Sequence, residues 1–291
     1  MTPLLSVVTV TYNHEPYIAR AIEGVMSQKV DFPIELIIAD DCSTDGTLEI
    51  CREFESRYPG VIRILPSSCN MGAVANERRA FETAKGKYIA TCEGDDWWDD
   101  PQKLQRQVTF LENHPDYSVC FHRYRRYIAA EDRFEDDSIA YLFDGKEDIE
   151  VSMHQFMHRW CTQYLTMVFR RECYDSSLPE RYEYFRDTHQ VYHLMLRGRC
   201  RLFAFCGGVY NITHSGVYTT MSGFDQARKV LAVDRELWKV NRDPRWKQMC
   251  AIVMQDMIDR FKAPYAFRVF CFDRDVRRFL INISRIIGVK N

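Results

Sequence analysis

The sequence has no long apolar run, no C-x-x-C pair, no internal repeat and almost no net charge. Each absence removes a class of function. No stretch approaches the ~20 apolar residues that a spanning helix needs. Lysine and arginine total 39 against 41 aspartate and glutamate, a formal net charge of −2. That balance argues against a nucleic-acid binder working by bulk attraction to phosphates. The 11 cysteines are odd in number and scattered. They read as reduced thiols, not as a disulfide framework or a zinc site. No leader pattern precedes the first strand, since Met1 to Thr11 runs straight into it. The expected location is the cytoplasm, or the inner face of the plasma membrane as a peripheral protein. What remains is a soluble composition, 46% hydrophobic and 27% charged, with ample apolar material for a core.

The first third alternates strand and helix patterns. Leu4 to Thr11 is a continuous apolar and β-branched run, the mark of a strand buried on both faces. Tyr17, Ile18, Ala21, Ile22 and Val25 follow at helical spacing. Ile34 to Ala39 is a second buried strand ending in Asp40-Asp41, and Ser43 or Thr44 is placed to cap the next helix. Val61 to Leu65, a helix over Val74 to Ala84 and a strand over Tyr88 to Cys92 continue the alternation. Such βα units demand a mostly parallel sheet with right-handed crossovers and a ligand beyond the carboxyl ends of its strands. After Pro101 the pattern predicts a helix through Leu111, then strands at Tyr117 to Phe121, Leu165 to Phe169 and Leu202 to Phe205. A helix runs over Thr188 to Leu196. Residues 131–150 are acidic and poorly periodic and read as a surface loop. From Phe224 onward the pattern is helical.

The polar residues just after the strands carry the chemistry. In K-Y-I-A-T-C-E-G-D-D-W-W (residues 87–98) a buried strand ends in Glu93, Asp95 and Asp96. Crowded like charges are costly unless a cation lies between them, and a hard divalent ion that also bridges two phosphates fits such a cluster. An acidic turn before the next helix is the plain alternative. In L-I-I-A-D-D-C-S-T-D-G-T (residues 36–47) Asp40 or Asp41 can accept hydrogen bonds from a base imide or a ribose hydroxyl, or the segment is simply a helix start. Thr11-Tyr12-Asn13 offers a ring for stacking and polar groups for a base. Asn70-Met71-Gly72 is a turn whose glycine lets backbone approach a ligand.

Singly these signals are weak, but their order is specific. T-Y-N, then a strand ending D-D-x-S-T-D-G-T, then N-x-G, then K-G-K-Y-I-x-x-x-E-G-D-D-W resembles the inverting family-2 glycosyltransferases of the nucleotide-binding type A fold. The resemblance is specific over residues 4–120 and looser to about 220. It implies an α/β fold: one mostly parallel Rossmann-like sheet flanked by helices, with a helical C-terminal extension. Residues 1–222 would form the transferase domain, 1–120 binding the nucleotide sugar and 121–222 serving the acceptor, with 223–291 as the extension. The family's acidic motif is usually D-x-D or D-x-D-D, and here Glu93 stands in its first position. By resemblance Asp41, with Asp40 beside it, contacts the base, Asp95 approaches ribose or metal, and Asp95 or Asp96 holds Mn2+ or Mg2+.

Family members place an acceptor-activating aspartate at the start of an apolar helix, and Phe185-Arg186-Asp187-Thr188 matches that position. A carboxylate there would take the acceptor's proton, and Asp187 is equally placed to cap the helix. Val209-Tyr210-Asn211-Ile212-Thr213-His214-Ser215-Gly216 resembles the family's Y-R-x-H-x-G-G segment, with Asn211 where arginine is frequent. It would set His214 near the diphosphate, although a lone histidine also serves structure. Residues 260–291 concentrate arginine and lysine among phenylalanine and isoleucine. This reads as a helix on an anionic membrane surface or as one packed on the domain. The expected reaction moves a hexose or N-acetylhexosamine from a UDP-sugar to a hydroxyl of a glycan or lipid-linked acceptor. A sugar-phosphate nucleotidyltransferase would need a glycine-rich basic loop after the first strand, where T-Y-N-H-E-P stands instead. A non-catalytic module of the same fold would have little use for the three carboxylates.

Overall fold

The computed structural model describes residues 2–143, 145, 147–158, 161, 163–213 and 221–261. Two compact units emerge, Met1–Pro179 with Gln190–His214, and Glu180–His189 with Ser215–Asn291. The first opens with β1 (Leu5–Thr11), α1 (Ile18–Met26), β2 (Ile34–Asp40), α2 (Thr47–Arg57), β3 (Ile62–Pro66), α3 (Ala73–Thr83), β4 (Tyr88–Thr91) and β5 (Trp97–Trp98). It continues through α4 (Lys103–Asn113), β6 (Tyr117–Ile128), β7 (Arg133–Asp136), β8 (Asp148–Glu150), α5 (Met153–His158) and β9 (Val168–Arg170). The helix α6 (Asp187–Met195) precedes β10 (Arg199–Ile212), and α7 (Gly223–Asn241) and α8 (Pro244–Phe261) follow.

One sheet of order β3-β2-β1-β4-β9-β6-β10-β5 organises the first unit, with β7 on β6 and β8 on β10. β3, β2, β1 and β4 are mutually parallel, as are β6 and β10. Because β9 is antiparallel to both β4 and β6, these two groups run the same way. The expected α/β architecture is therefore present, with short antiparallel strands inserted. The long strands form because both faces are covered. Leu36 and Ile38 join a core with Ile18, Ile22, Val25, Leu104, Val108 and Leu111, while Ile37 and Ala39, pointing the other way, are equally buried. Each such aliphatic side chain contributes ~1.5–3 kcal/mol on burial, enough to offset the ~1–2 kcal/mol cost of ordering its backbone.

Several expectations need correction. Residues 131–150 are not wholly loop, since β7 pairs with β6 and β8 with β10. Apart from Phe134 and Ile149 their side chains are charged, and none is buried, so no apolar alternation betrays them. Leu165 lies in a 3-10 turn, and the strand that follows is Val168–Arg170. Neither Ser43 nor Thr44 caps α2. The helix begins at Thr47, whose backbone N–H donates to Asp45. Among the described residues no helix is long and apolar enough to cross a membrane, and the ten described cysteines are free thiols. His214 and residues 262–291, with nearly all of the basic tail, lie outside the described residues.

Candidate active site

The parallel strands β1, β2 and β4 end side by side, and their following loops are laced together. Asp41 N–H donates to Thr11 O at 2.9 Å. Asn13 takes a left-handed backbone (φ 54°). It is held by its own N–H donating to Ser43 Oγ at 3.0 Å and by its Oδ1 accepting from Thr44 N at 2.8 Å. His14 N donates to Thr47 Oγ1, Glu15 N to Asp45, and Gly46 N returns a bond to Glu15. Most polar side chains of S-T-D-G-T therefore hold the T-Y-N-H-E loop, a use the sequence alone did not show. Tyr12, by contrast, is 42% exposed, so its ring is available for stacking.

The two adjacent aspartates have different surroundings. Asp41 is buried and accepts from Met71 N and Gly72 N, each at 2.8 Å. Those charge-assisted bonds fix the Asn70-Met71-Gly72 turn, where Gly72 adopts φ 86°, a conformation that disfavours any side chain. A carboxylate offers about four lone-pair sites, so Asp41 retains acceptor capacity. Asp40 is wholly buried, accepts from Ser43 N through Oδ2, and leaves Oδ1 buried without a partner. Behind them Arg79 donates to the carbonyls of Asp40, Leu65 and Pro66, and Asn76 to that of Ala39. These two side chains of α3 tie off the ends of β2 and β3. The sequence reading passed over them because both look like solvated helix residues.

The E-G-D-D turn lies against the first loop. Gly94 N donates to Val10 O at 3.0 Å. A Cβ on Gly94 would stand 2.7 Å from Thr11 Oγ1 and 2.8 Å from His14 Nδ1, so only glycine fits. Both of those polar atoms are buried without a hydrogen-bond partner. Asp96 is buried, its Oδ1 accepts from Asn211 N at 2.8 Å, and its Oδ2 has no partner. Burial first, then the neighbouring charges of Asp95 and Glu93, push its carboxyl well above the ordinary range. The phenol of Tyr210 is raised by burial and by the same three carboxylates. Tyr124, edge-on to Tyr210 at 6.3 Å between ring centroids, also feels Asp96. Next in the chain Trp97 is covered by the Arg20 guanidinium, 3.6 Å from its ring centroid.

Whether a divalent ion fits is decided by these donors. Among the described residues no group of three acidic, histidine or cysteine side chains could by itself hold an ion. A hard cation that keeps waters and substrate phosphates needs only one or two carboxylates from the protein. The unpartnered, buried oxygen of Asp96 beside Asp95 meets that need, and burial there is costly unless a cation compensates. Asp187 belongs to the other unit. It is the first residue of α6, half-buried, and its Oδ1 accepts from Thr188 N at 2.8 Å. Burial raises its carboxyl above the ordinary value.

Polar loops at the carboxyl edge of a parallel sheet, with buried acids aimed into them, define a nucleotide-binding α/β protein. The family model for glycosyl transferase family 2 matches residues 6–170, and the chain belongs to that family. An uncharacterized protein of Mycobacterium tuberculosis is 39% identical over 175 residues, 60% of this chain and 49% of that one. The chain thus spans about half the length of such curated relatives, 49% in this case. Staphylococcus aureus TarS, solved with UDP-GlcNAc, superposes with a TM-score of 0.63 at 18% identity, covering 96% of this chain and 78% of that one. The Pyrobaculum calidifontis mannosyltransferase PcManGT, solved with GDP-Man and Mn2+, gives 0.59 at 14% identity, covering 100% and 89%. At these identities the structural likeness shows the type A glycosyltransferase fold.

Proposed function

We propose that this chain transfers a hexose or N-acetylhexosamine from a UDP-sugar to a hydroxyl of a glycan or lipid-linked acceptor, with inversion. The setting would be surface polysaccharide, lipopolysaccharide or glycan assembly at the cytoplasmic face of the membrane. The observation that carries the reading is the buried Asp96 oxygen without a partner, set beside Asp95 and Glu93 at the strand ends. Tyr12 stacks on the base, and Asn13, Asp40 and Asp41 supply its polar contacts. The Asn70–Gly72 backbone closes one side of the donor. Asp95 and Asp96 would hold Mn2+ or Mg2+, which would supply positive charge toward the diphosphate. Asp187 accepts the acceptor proton as that oxygen attacks the anomeric carbon and the bond from that carbon to the diphosphate breaks. A carboxyl raised by burial is a better base for this task than a solvated one.

A panel of nucleotide sugars with Mn2+, read as protection from thermal unfolding, tests the donor side. UDP-sugars should raise the melting temperature in wild type and in D187N, but not in D96N. Transfer should be lost in D187N. No shift with any nucleotide sugar would overturn the reading, and wild-type turnover in D187N would remove Asp187 from the mechanism.

A further inference from the structure

Residues 182–189, which carry Asp187, have little regular structure before α6 begins, yet they are tied down at several points by α7. Glu236 accepts from Glu183 N at 2.9 Å and from Tyr184 N at 3.0 Å, one bond to each carboxylate oxygen. The same carboxylate is 3.7 Å from Nε2 of His189, whose side chain is wholly buried. His189 Nδ1 accepts from Arg186 N at 3.1 Å, which leaves the ring proton of the neutral form on Nε2, toward Glu236. The imidazole is stacked on Phe185 and lies 4.2 Å from Tyr182 between ring centroids. Asn241, five residues after Glu236, donates to the Tyr182 hydroxyl at 2.9 Å. The backbone amides of residues 183, 184 and 186 are therefore all committed to Glu236 or to the histidine beside it. Asp187 is the next residue.

We propose that Glu236 is a positioning residue for sugar transfer: through two backbone amides and His189 it sets the loop from which Asp187 acts. The proposal rests on Asp187 being the base. It gives the C-terminal helices a part in the acceptor half of the reaction while leaving donor binding to the sheet. A loop held by one charged side chain is a precise support, because two N–H bonds to a carboxylate fix both position and tilt. Losing that support would cost reactivity in the chemical step, since small misplacements of a reacting group lower rates steeply.

The test uses E236A and E236Q in the full chain. Glutamine keeps one acceptor oxygen but turns an N–H donor toward the second amide and loses the charge facing His189. E236A should lower kcat for transfer at least tenfold and E236Q by less. The donor KM should stay within about twofold of wild type, and UDP with Mn2+ should raise the melting temperature as it does in wild type. A donor KM rising with the fall in kcat, or loss of the UDP-dependent rise in melting temperature, would show a general structural role and overturn the proposal. So would wild-type kcat in E236A. D187N separates the two readings. If D187N turns over normally, the base assignment falls and the proposal with it. If D187N is inactive while E236A transfers normally, only the role of Glu236 falls.

Discussion

Replacing Lys103 with methionine should stabilise the protein and remove one source of pH dependence from its stability. Lys103 opens α4, is completely buried, and its Nζ has no hydrogen-bond partner. The face of Trp98 lies 3.9 Å from Nζ to the ring centroid. Burial lowers its ammonium from 10.5 to about 7. The unfolded chain therefore binds a proton between those values that the folded chain does not, and stability rises with pH across that window. The slope is ~1.4 kcal/mol per pH unit, and the whole penalty, fully present below about pH 7, is ~5 kcal/mol. Cys51, Cys120 and Cys161, pushed up by burial from 9.0 to about 12, act in the opposite sense above pH 9. His122, held well below 6.5 by burial and by Lys103, acts below pH 6.5. Over pH 7 to 8.5 the Lys103 proton contributes ~2 kcal/mol. Urea unfolding of wild type and K103M at several pH values in this interval isolates Lys103 together with the groups whose charge it faces, because groups remote from it cancel in the difference. K103M should be the more stable at pH 7, and the gap should narrow by ~2 kcal/mol by pH 8.5. A gap that stays constant, or a less stable K103M at pH 7, would refute the reasoning.

Three further outcomes are expected. In G94A the new methyl group meets Thr11 Oγ1 at 2.7 Å and His14 Nδ1 at 2.8 Å. Relieving such a clash costs ~1–3 kcal/mol, so UDP affinity with Mn2+ should fall about tenfold or more by calorimetry, and an unchanged Kd would place the donor elsewhere. D41A removes two charge-assisted bonds to Met71 and Gly72 worth ~1.5–3 kcal/mol each. The donor KM should rise at least tenfold with kcat little altered, and a fall in kcat alone would contradict the loop's role. In the proposed reaction Asp187 would have to be ionised to act as the base, and burial raises its carboxyl above 3.8. Transfer should decline as pH falls through that raised value, and an acid limb in kcat at or below pH 4 would count against the assignment.

The buried strands and the acids behind them were legible for one physical reason. β1 and β2 are covered on both faces, so their residues are mostly apolar or β-branched, and the acids that end β2 stand at the sheet edge. The same reasoning cannot give strand direction. β9 is buried throughout, and its composition would suit a parallel strand as well as the antiparallel one it forms. β7 and β8 escaped for the opposite reason. They gain from backbone pairing and from ion pairs such as Arg126–Glu135 and Arg201–Asp148, not from burial, so no period marks them. Within the site the sequence named the acids but not their partners. Asp41 meets Gly72 because β2 lies beside β3, and Gly94 meets Thr11 because β4 lies beside β1, neighbour relations that no local pattern encodes. Glu236 is the extreme case. On sequence it is one more glutamate on an amphipathic helix, and only the carboxylate's two amide bonds, 53 and 52 residues back along the chain, distinguish it from a solvated one. Residues that do chemistry tend to fall at strand ends and helix starts, where motifs form. Residues that aim them can fall anywhere the fold brings a side chain to a backbone.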